Sequence, residues 1–200
     1  MKIIQSDISV AILAGGKNSR MKGDNKALLK VDGISIIDRQ IEVLSEIFGE
    51  IFIVGKDFKH GRNLRVVEDI FPEKGPLSGI HTALSYSNTE LVFVVSCDMP
   101  FLCGDFIKEL VFEATEYQYD AIVPKHKSGI EPLHAIYRKS IVNIAEATLK
   151  QEDIRIRNMF DDIKIKYFDV NLHYNTEMIF FNINNPQDLE KAQHYAKGIK

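Results

Sequence analysis

Short runs of apolar and β-branched residues alternate with longer stretches whose apolar positions recur every three to four residues, and this rhythm runs the length of the chain. Period-two or continuously apolar runs predict strands over residues 8–13, 50–54, 64–67, 91–96, 121–123, 134–137, 163–169 and 177–181. Helical periodicity falls between them, over 35–48, 77–85, 104–116, 139–149, 154–160 and 186–196. In the first of these helices Ile36, Ile37, Ile41, Val43, Leu44 and Ile47 supply the apolar face. Asn185-Pro186 marks the start of the last one, because asparagine caps a helix and proline fits its first turn. Strands alternating with helices imply crossover connections and a mostly parallel sheet. Nothing repeats at a fixed period, and no linker-like tract divides the chain.

Composition agrees with one α/β domain. Two hundred residues with 45% hydrophobic and 26% charged content can bury a substantial core. The formal charge of -3 speaks against sequence-independent binding to nucleic acid, which needs a basic surface. Cys97 and Cys103 are too few for a disulfide framework or a zinc site and read as reduced thiols of a cytoplasmic protein. Before the first apolar run stand one lysine and one aspartate, and the run itself stops at glycine after a few residues. That pattern predicts neither a signal peptide nor a membrane span.

Chemistry concentrates where strands end. The first strand runs into Ala14-Gly15-Gly16, with Arg20 and Lys26 close behind. Glycines let consecutive backbone N–H groups approach anionic oxygens, and the two cations suit a polyphosphate. The loop is not a Walker motif, since no glycine precedes Lys26 and no Ser or Thr follows it; nor does it have the third glycine of a dinucleotide fingerprint. The strand ending at Ser96 delivers Asp98, a candidate Mg²⁺ ligand on the ligand-binding edge of an open α/β sheet. An Asp opening a turn before Pro100 is the alternative. Glu68-Asp69 ends another strand, and in Gly75-Pro-Leu-Ser-Gly79 the residues Ser78 and Gly79 lie where a helix N-terminus accepts phosphate.

Taken together, Leu13-Ala-Gly-Gly16, Ser19-Arg-Met21, Lys26, Glu68-Asp69, Gly75-Pro-Leu-Ser-Gly79, Cys97-Asp-Met-Pro100, Glu131-Pro-Leu-His-Ala-Ile-Tyr137 and Phe181-Asn-Ile-Asn-Asn-Pro186 resemble, in this order and over nearly the whole chain, the molybdenum cofactor guanylyltransferases, a MobA-like nucleotidyltransferase family. The first loop is shared with the wider superfamily of cytidylyl and sugar-phosphate enzymes; the paired glycines and later motifs are similar to the guanylyl branch. The resemblance implies a Rossmann-like three-layer α/β/α sandwich with a mostly parallel mixed sheet. It also implies a GTP-binding N-terminal half, about 1–103, and an acceptor-binding half, about 104–200. The implied reaction moves GMP from GTP to the terminal phosphate of molybdopterin and releases pyrophosphate, with Mg²⁺ and, as a further partner, a molybdoenzyme or its chaperone.

Mapped onto this chain, the resemblance makes Leu13, Ala14, Gly15 and Gly16 backbone contacts to GTP, Lys26 a phosphate contact, Asp69 a nucleoside contact and Asp98 the metal ligand. Lys26, Asp98 and Arg20 form the expected catalytic set, and Gly79 joins the nucleotide contacts. Glu131, Pro132, His134, Asn182 and Asn184 are expected to meet the acceptor. For His134 a structural role within a strand is the competing reading, and for Asn182 and Asn184 the pinning of a loop. Asn25 stands where family members often have Asp before the loop lysine, which leaves the partner of Lys26 open. Rival readings are a cytidylyltransferase for molybdopterin, a sugar-phosphate nucleotidyltransferase and a non-catalytic nucleotide sensor.

Overall fold

The computed structural model describes residues 8–15, 26–56, 61, 63–170 and 173–198. In chain order the elements are β1 (Ile8–Leu13), a 3-10 turn (Lys26–Leu28), β2 (Lys30–Val31), β3 (Ile34–Ser35), α1 (Ile36–Ser45), β4 (Glu50–Val54), β5 (Arg65–Val67), α2 (Pro76–Tyr86), β6 (Leu91–Ser96) and α3 (Gly104–Glu116). They continue with β7 (Ala121–His126), β8 (Gly129–Ile130), β9 (His134–Arg138), a 3-10 turn (Lys139–Ile141), α4 (Val142–Leu149), α5 (Ile156–Phe160), β10 (Ile165–Asp169), α6 (Thr176–Ile179) and α7 (Pro186–Gly198).

The main sheet has the order β10-β7-β9-β6-β1-β4-β5, with β8 paired to β7. Strand β9 runs against both β6 and β7, and the other pairs along this order are parallel. The chain builds outward from β1 through β4 and β5, then returns to lay β6 on the opposite side of β1. That reversal opens a crevice at the carboxyl ends of β1 and β6, where sheets of this type bind ligands. Register brings Leu13 level with both Val54 and Ser96.

Alternation along β1 shows how the layers form. Ile8, Val10 and Ile12 face the core shared with α1 and α3, whereas Ala11 and Leu13 face the core shared with α2, α4 and α5. All six residues of the strand are buried, as expected for a strand covered on both faces. A third apolar cluster joins the β2–β3 hairpin to α7 through Val31, Ile36, Phe101, Ile183 and Ala192. Among the described residues no helix is long and apolar enough to cross a membrane.

Two local readings of the sequence change. The run expected to form a strand at 177–181 is instead the short helix α6. Asn175 caps it by accepting from the Met178 amide at 3.2 Å, and Ile179 and Phe180 are buried against the sheet. The hairpin β2–β3 is not among the expected strands, yet its turn is written as Asp32-Gly33. Both residues have positive φ (51° and 82°), the backbone a tight hairpin turn requires.

Candidate functional site

The cleft at the switch point is lined in part by Leu13, Gly15, Asp69, Gly75, Gly79 and Ser96, with a volume of about 180 Å³. Its floor is fixed by backbone bonds: Ala14 donates to the Val54 carbonyl at 2.8 Å, and Cys97 donates to that of Leu13 at 3.1 Å. Gly55 allows this approach, since an added Cβ would lie 3.2 Å from the Ala14 carbonyl carbon. Gly15 is different. It is exposed, no atom of the described residues lies within 4 Å of where its Cβ would stand, and its φ is not left-handed. Among the described residues neither packing nor a left-handed φ requires glycine there, and its missing side chain leaves the backbone bare.

Helix α2 begins at the rim of this cleft. Gly75 precedes it with φ of 74° and no side chain to cap it; Pro76 brings no N–H, and the Ser78 amide donates to the Gly75 carbonyl at 3.2 Å. Gly79, one turn on, packs against β1: an added Cβ would meet Leu13 Cδ1 at 2.9 Å. Asp69 is held to the same helix, its Oδ1 accepting from Ser78 Oγ and, at 2.8 Å, from Thr82 Oγ1. Ser78 also donates to the Phe71 carbonyl at 2.7 Å and is fully buried. Its hydroxyl therefore orients Asp69 and does not reach a phosphate, contrary to the reading of that loop from sequence.

Asp98 lies just past β6. Ser96 Oγ donates to its Oδ1 at 2.6 Å, and Lys26 Nζ stands 3.4 Å from its Oδ2. The same ammonium donates to Asn184 Oδ1 at 2.9 Å. Among the described residues Lys26 thus has two partners, Asp98 and Asn184, one from each half of the chain. Asn184 is held in turn: its amide donates to Asp188 Oδ2 at 2.8 Å, within the reciprocal cap by which Asn185 Oδ1 accepts from the Asp188 amide. The Ile183 amide donates to the Asp98 carbonyl at 2.9 Å, so this turn is bonded to the Asp98 turn directly. Cys97, buried beneath, is no nucleophile; burial, with a contribution from Asp98, pushes its thiol up to about 12.

The acceptor expectations fare unevenly. His134 is fully buried and unable to touch a ligand. Phe93 and Phe180 meet its ring edge to face at centroid distances of 5.2 and 5.3 Å, and Phe106 lies at 5.8 Å. Among the described residues neither ring nitrogen has a hydrogen-bond partner, and burial drives its pKa down to about 3. The structural reading of His134 replaces the acceptor reading. Asn182 Nδ2 donates to the Phe180 carbonyl at 3.0 Å, pinning its own loop. Glu131 pairs with His126 at 2.9 Å and is raised above the usual carboxylate range, chiefly by burial. The Pro132 carbonyl accepts from Tyr137 Oη at 2.8 Å. Gly16 and Arg20 lie outside the described residues.

Asn184 therefore belongs beside Lys26. Asn184→Ala is expected to lower kcat/KM for the nucleotide about fivefold, roughly 1 kcal/mol for one hydrogen bond to a partly exposed charged group. Steady-state kinetics of pyrophosphate release measures this, and an unchanged value would show that Lys26 is positioned without it.

Residues 10–165 match the MobA-like NTP transferase domain. A probable molybdenum cofactor guanylyltransferase of Pelotomaculum thermopropionicum is 37% identical over 194 residues, covering 94% of this chain and 93% of the relative. One from Carboxydothermus hydrogenoformans is 39% identical over 92% of this chain and 94% of its own length. Among solved structures, a molybdopterin-guanine dinucleotide biosynthesis protein A from Archaeoglobus fulgidus superposes with a TM-score of 0.81 at 27% identity, covering 95% of this chain and 99% of that one. A cleft at the switch point, open glycine backbone, a lysine and an aspartate at its edge, and these similarities over nearly the full length converge: the chain belongs to the MobA-like NTP transferase family.

Proposed function

We propose that this protein transfers GMP from GTP to the terminal phosphate of molybdopterin. The observation that carries the reading is a crevice lined by Gly15, Asp69 and Ser96, with Asp98 bonded to Ser96 and Lys26 beside Asp98, in a chain whose relatives named guanylyltransferases align over more than nine tenths of its length.

An oxygen of the acceptor phosphate attacks the α-phosphorus of GTP, the bond to the β-phosphate breaks, and pyrophosphate departs with the electron pair. The nucleophile is already ionised near neutral pH, so positioning and charge neutralisation do most of the work. The Gly15 backbone holds phosphate oxygens, Lys26 offsets charge on the departing group, and Asp69 meets the nucleoside. Among the described residues no group of three or more His, Cys, Asp or Glu is arranged to hold an ion unaided. A single carboxylate fixed by Ser96 beside a phosphate cradle fits Mg²⁺ shared with the substrate's phosphates. Asp98 would hold it, and the bound ion supplies neutralisation at phosphate oxygens. Glu131 and Pro132, half-buried on the loop that leads to the cleft residue Leu133, remain on the acceptor side. The reading carries with it a cytoplasmic location and handover of the product to a molybdoenzyme or its chaperone.

Thermal denaturation with Mg²⁺ and GTP, CTP or UTP tests nucleotide choice. A ligand at 100 times its Kd stabilises by about 2.7 kcal/mol, which in a chain of this size raises Tm by roughly 5–10 °C. GTP is expected to do so and CTP not; selective stabilisation by CTP would replace the guanylyl reading with the cytidylyl one.

A further inference from the structure

Helix α1 buries one polar residue that the chemistry above does not use. Gln40 is fully buried, on the helix face that carries Ile36, Ile37 and Leu44 into the protein. Its Nε2 donates to the Ser96 carbonyl at 2.8 Å and to the Met99 carbonyl at 2.9 Å. These two carbonyls bracket Cys97 and Asp98, so one amide clasps both ends of the turn that presents the carboxylate. Its Oε1 has no hydrogen-bond partner among the described residues. Its two donated bonds satisfy backbone carbonyls that an apolar side chain would leave without these donors, and both carbonyls belong to the turn that presents Asp98.

The same helix also holds the segment that carries Lys26. Arg39 donates from Nε and Nη2 to the Val31 carbonyl at 3.0 and 2.7 Å, and the Ile36 amide donates to the Leu29 carbonyl at 2.9 Å. The Leu29 amide in turn donates to the Lys26 carbonyl at 3.1 Å. Neighbouring residues of α1 therefore secure the lysine segment and the aspartate turn on a common rigid element.

We propose that Gln40 is a positioning residue for Asp98, fixing the turn at 97–99 so that the carboxylate meets the donor's phosphates in register with Lys26. The proposal rests on the reading that Asp98 serves nucleotidyl transfer. Misplacement of a reacting group by about 1 Å costs on the order of 10²-fold in rate. Gln40→Met keeps the volume and removes both donors; Gln40→Glu keeps the shape and turns acceptor oxygens toward the two carbonyls.

Each variant that folds is expected to lose about 10- to 100-fold in kcat with KM for GTP within about twofold. Amide hydrogen exchange should accelerate at residues 97–99 and stay unchanged in β6 and in β1. In an Asp98→Ala background Gln40→Met should cost nothing further, because it acts through that side chain. Wild-type turnover in either folded variant, exchange accelerated evenly through the sheet, or an undiminished cost in the Asp98→Ala background would each overturn the proposal. Wild-type protein that moves no GMP to molybdopterin would instead refute the functional reading, and the exchange experiment would still decide whether Gln40 clasps the turn.

Discussion

Asp98→Ala is expected to lower kcat by on the order of 10²-fold or more, as loss of a pre-organised electrostatic group does, while the protein stays folded. The carboxylate contributes little to the core. It is partly exposed, its hydrogen bonds go to Ser96 and Lys26, and the turn beneath it keeps the bonds from the Cys97 amide to Leu13 and from the Ile183 amide to its own carbonyl. Asp98→Asn separates charge from shape: the amide can still accept from Ser96, yet it carries no negative charge toward a cation. If charge is what matters, both variants fall together. Recovery of activity in Asp98→Asn would identify Asp98 as a turn-former and not a metal ligand. Pyrophosphate release with GTP, molybdopterin and Mg²⁺, read alongside thermal denaturation, measures both properties.

The second large effect concerns acid. His134 has its folded-state pKa driven to about 3 by burial among Phe93, Phe106 and Phe180, against about 6.5 in an unfolded chain. The native protein keeps the imidazole neutral. As pH falls through 6.5 the unfolded chain takes up a proton that the native state does not, so stability drops by about 1.4 kcal/mol per pH unit between roughly 6.5 and 3. From pH 7 to 5 this single group removes about 2 kcal/mol, or roughly 4–8 °C in Tm. His81, also lowered by burial, acts in the same direction; Glu131, raised, acts in the opposite one. The informative quantity is therefore the difference between wild type and His134→Leu: the variant should show a flatter Tm-against-pH curve below pH 6.5. Parallel curves would mean that His134 is protonated in the folded protein.

The periodic elements were legible because burial on both faces of a parallel sheet leaves nearly continuous apolar strands, of which Ile8–Leu13 and Leu91–Ser96 are examples. The run from Met178 to Phe181 was ambiguous for the same reason, since a short apolar stretch suits a strand or a buried helix equally well. Asn175 tipped it toward helix, a capping signal that lies outside the apolar run itself. The Asp32-Gly33 turn was also readable, yet the strands on either side of it, two residues each, are too short to show a period.

In the site, Gly15 and Asp98 were legible as strand-end residues; the sheet places Gly15 in the lining of the crevice and Asp98 just past Ser96, which also lines it. The pairing of Lys26 with Asn184 was not, because nothing local connects positions 158 residues apart. His134 directly follows Leu133, which lines the cleft, and only the fold shows that its own side chain turns inward. Gln40 did leave a trace, as an amide on an otherwise apolar helix face three residues after Ile37 and four before Leu44; its partners on the far loop left none.

The bond between Lys26 and Asn184 bears on how the protein becomes active during synthesis. Strands β1, β4, β5 and β6, which frame the nucleotide crevice, are complete long before the ribosome reaches Asn184, whereas the lysine acquires its second partner only after α7 begins to form beside the β2–β3 hairpin. A nascent chain can therefore assemble a nucleotide cradle whose lysine has Asp98 but still lacks Asn184, and full competence for transfer arrives with α7. Such long-range closure raises the contact order and makes docking of α7 a late folding step. Refolding followed by nucleotide binding and by turnover should then show the first recovering ahead of the second.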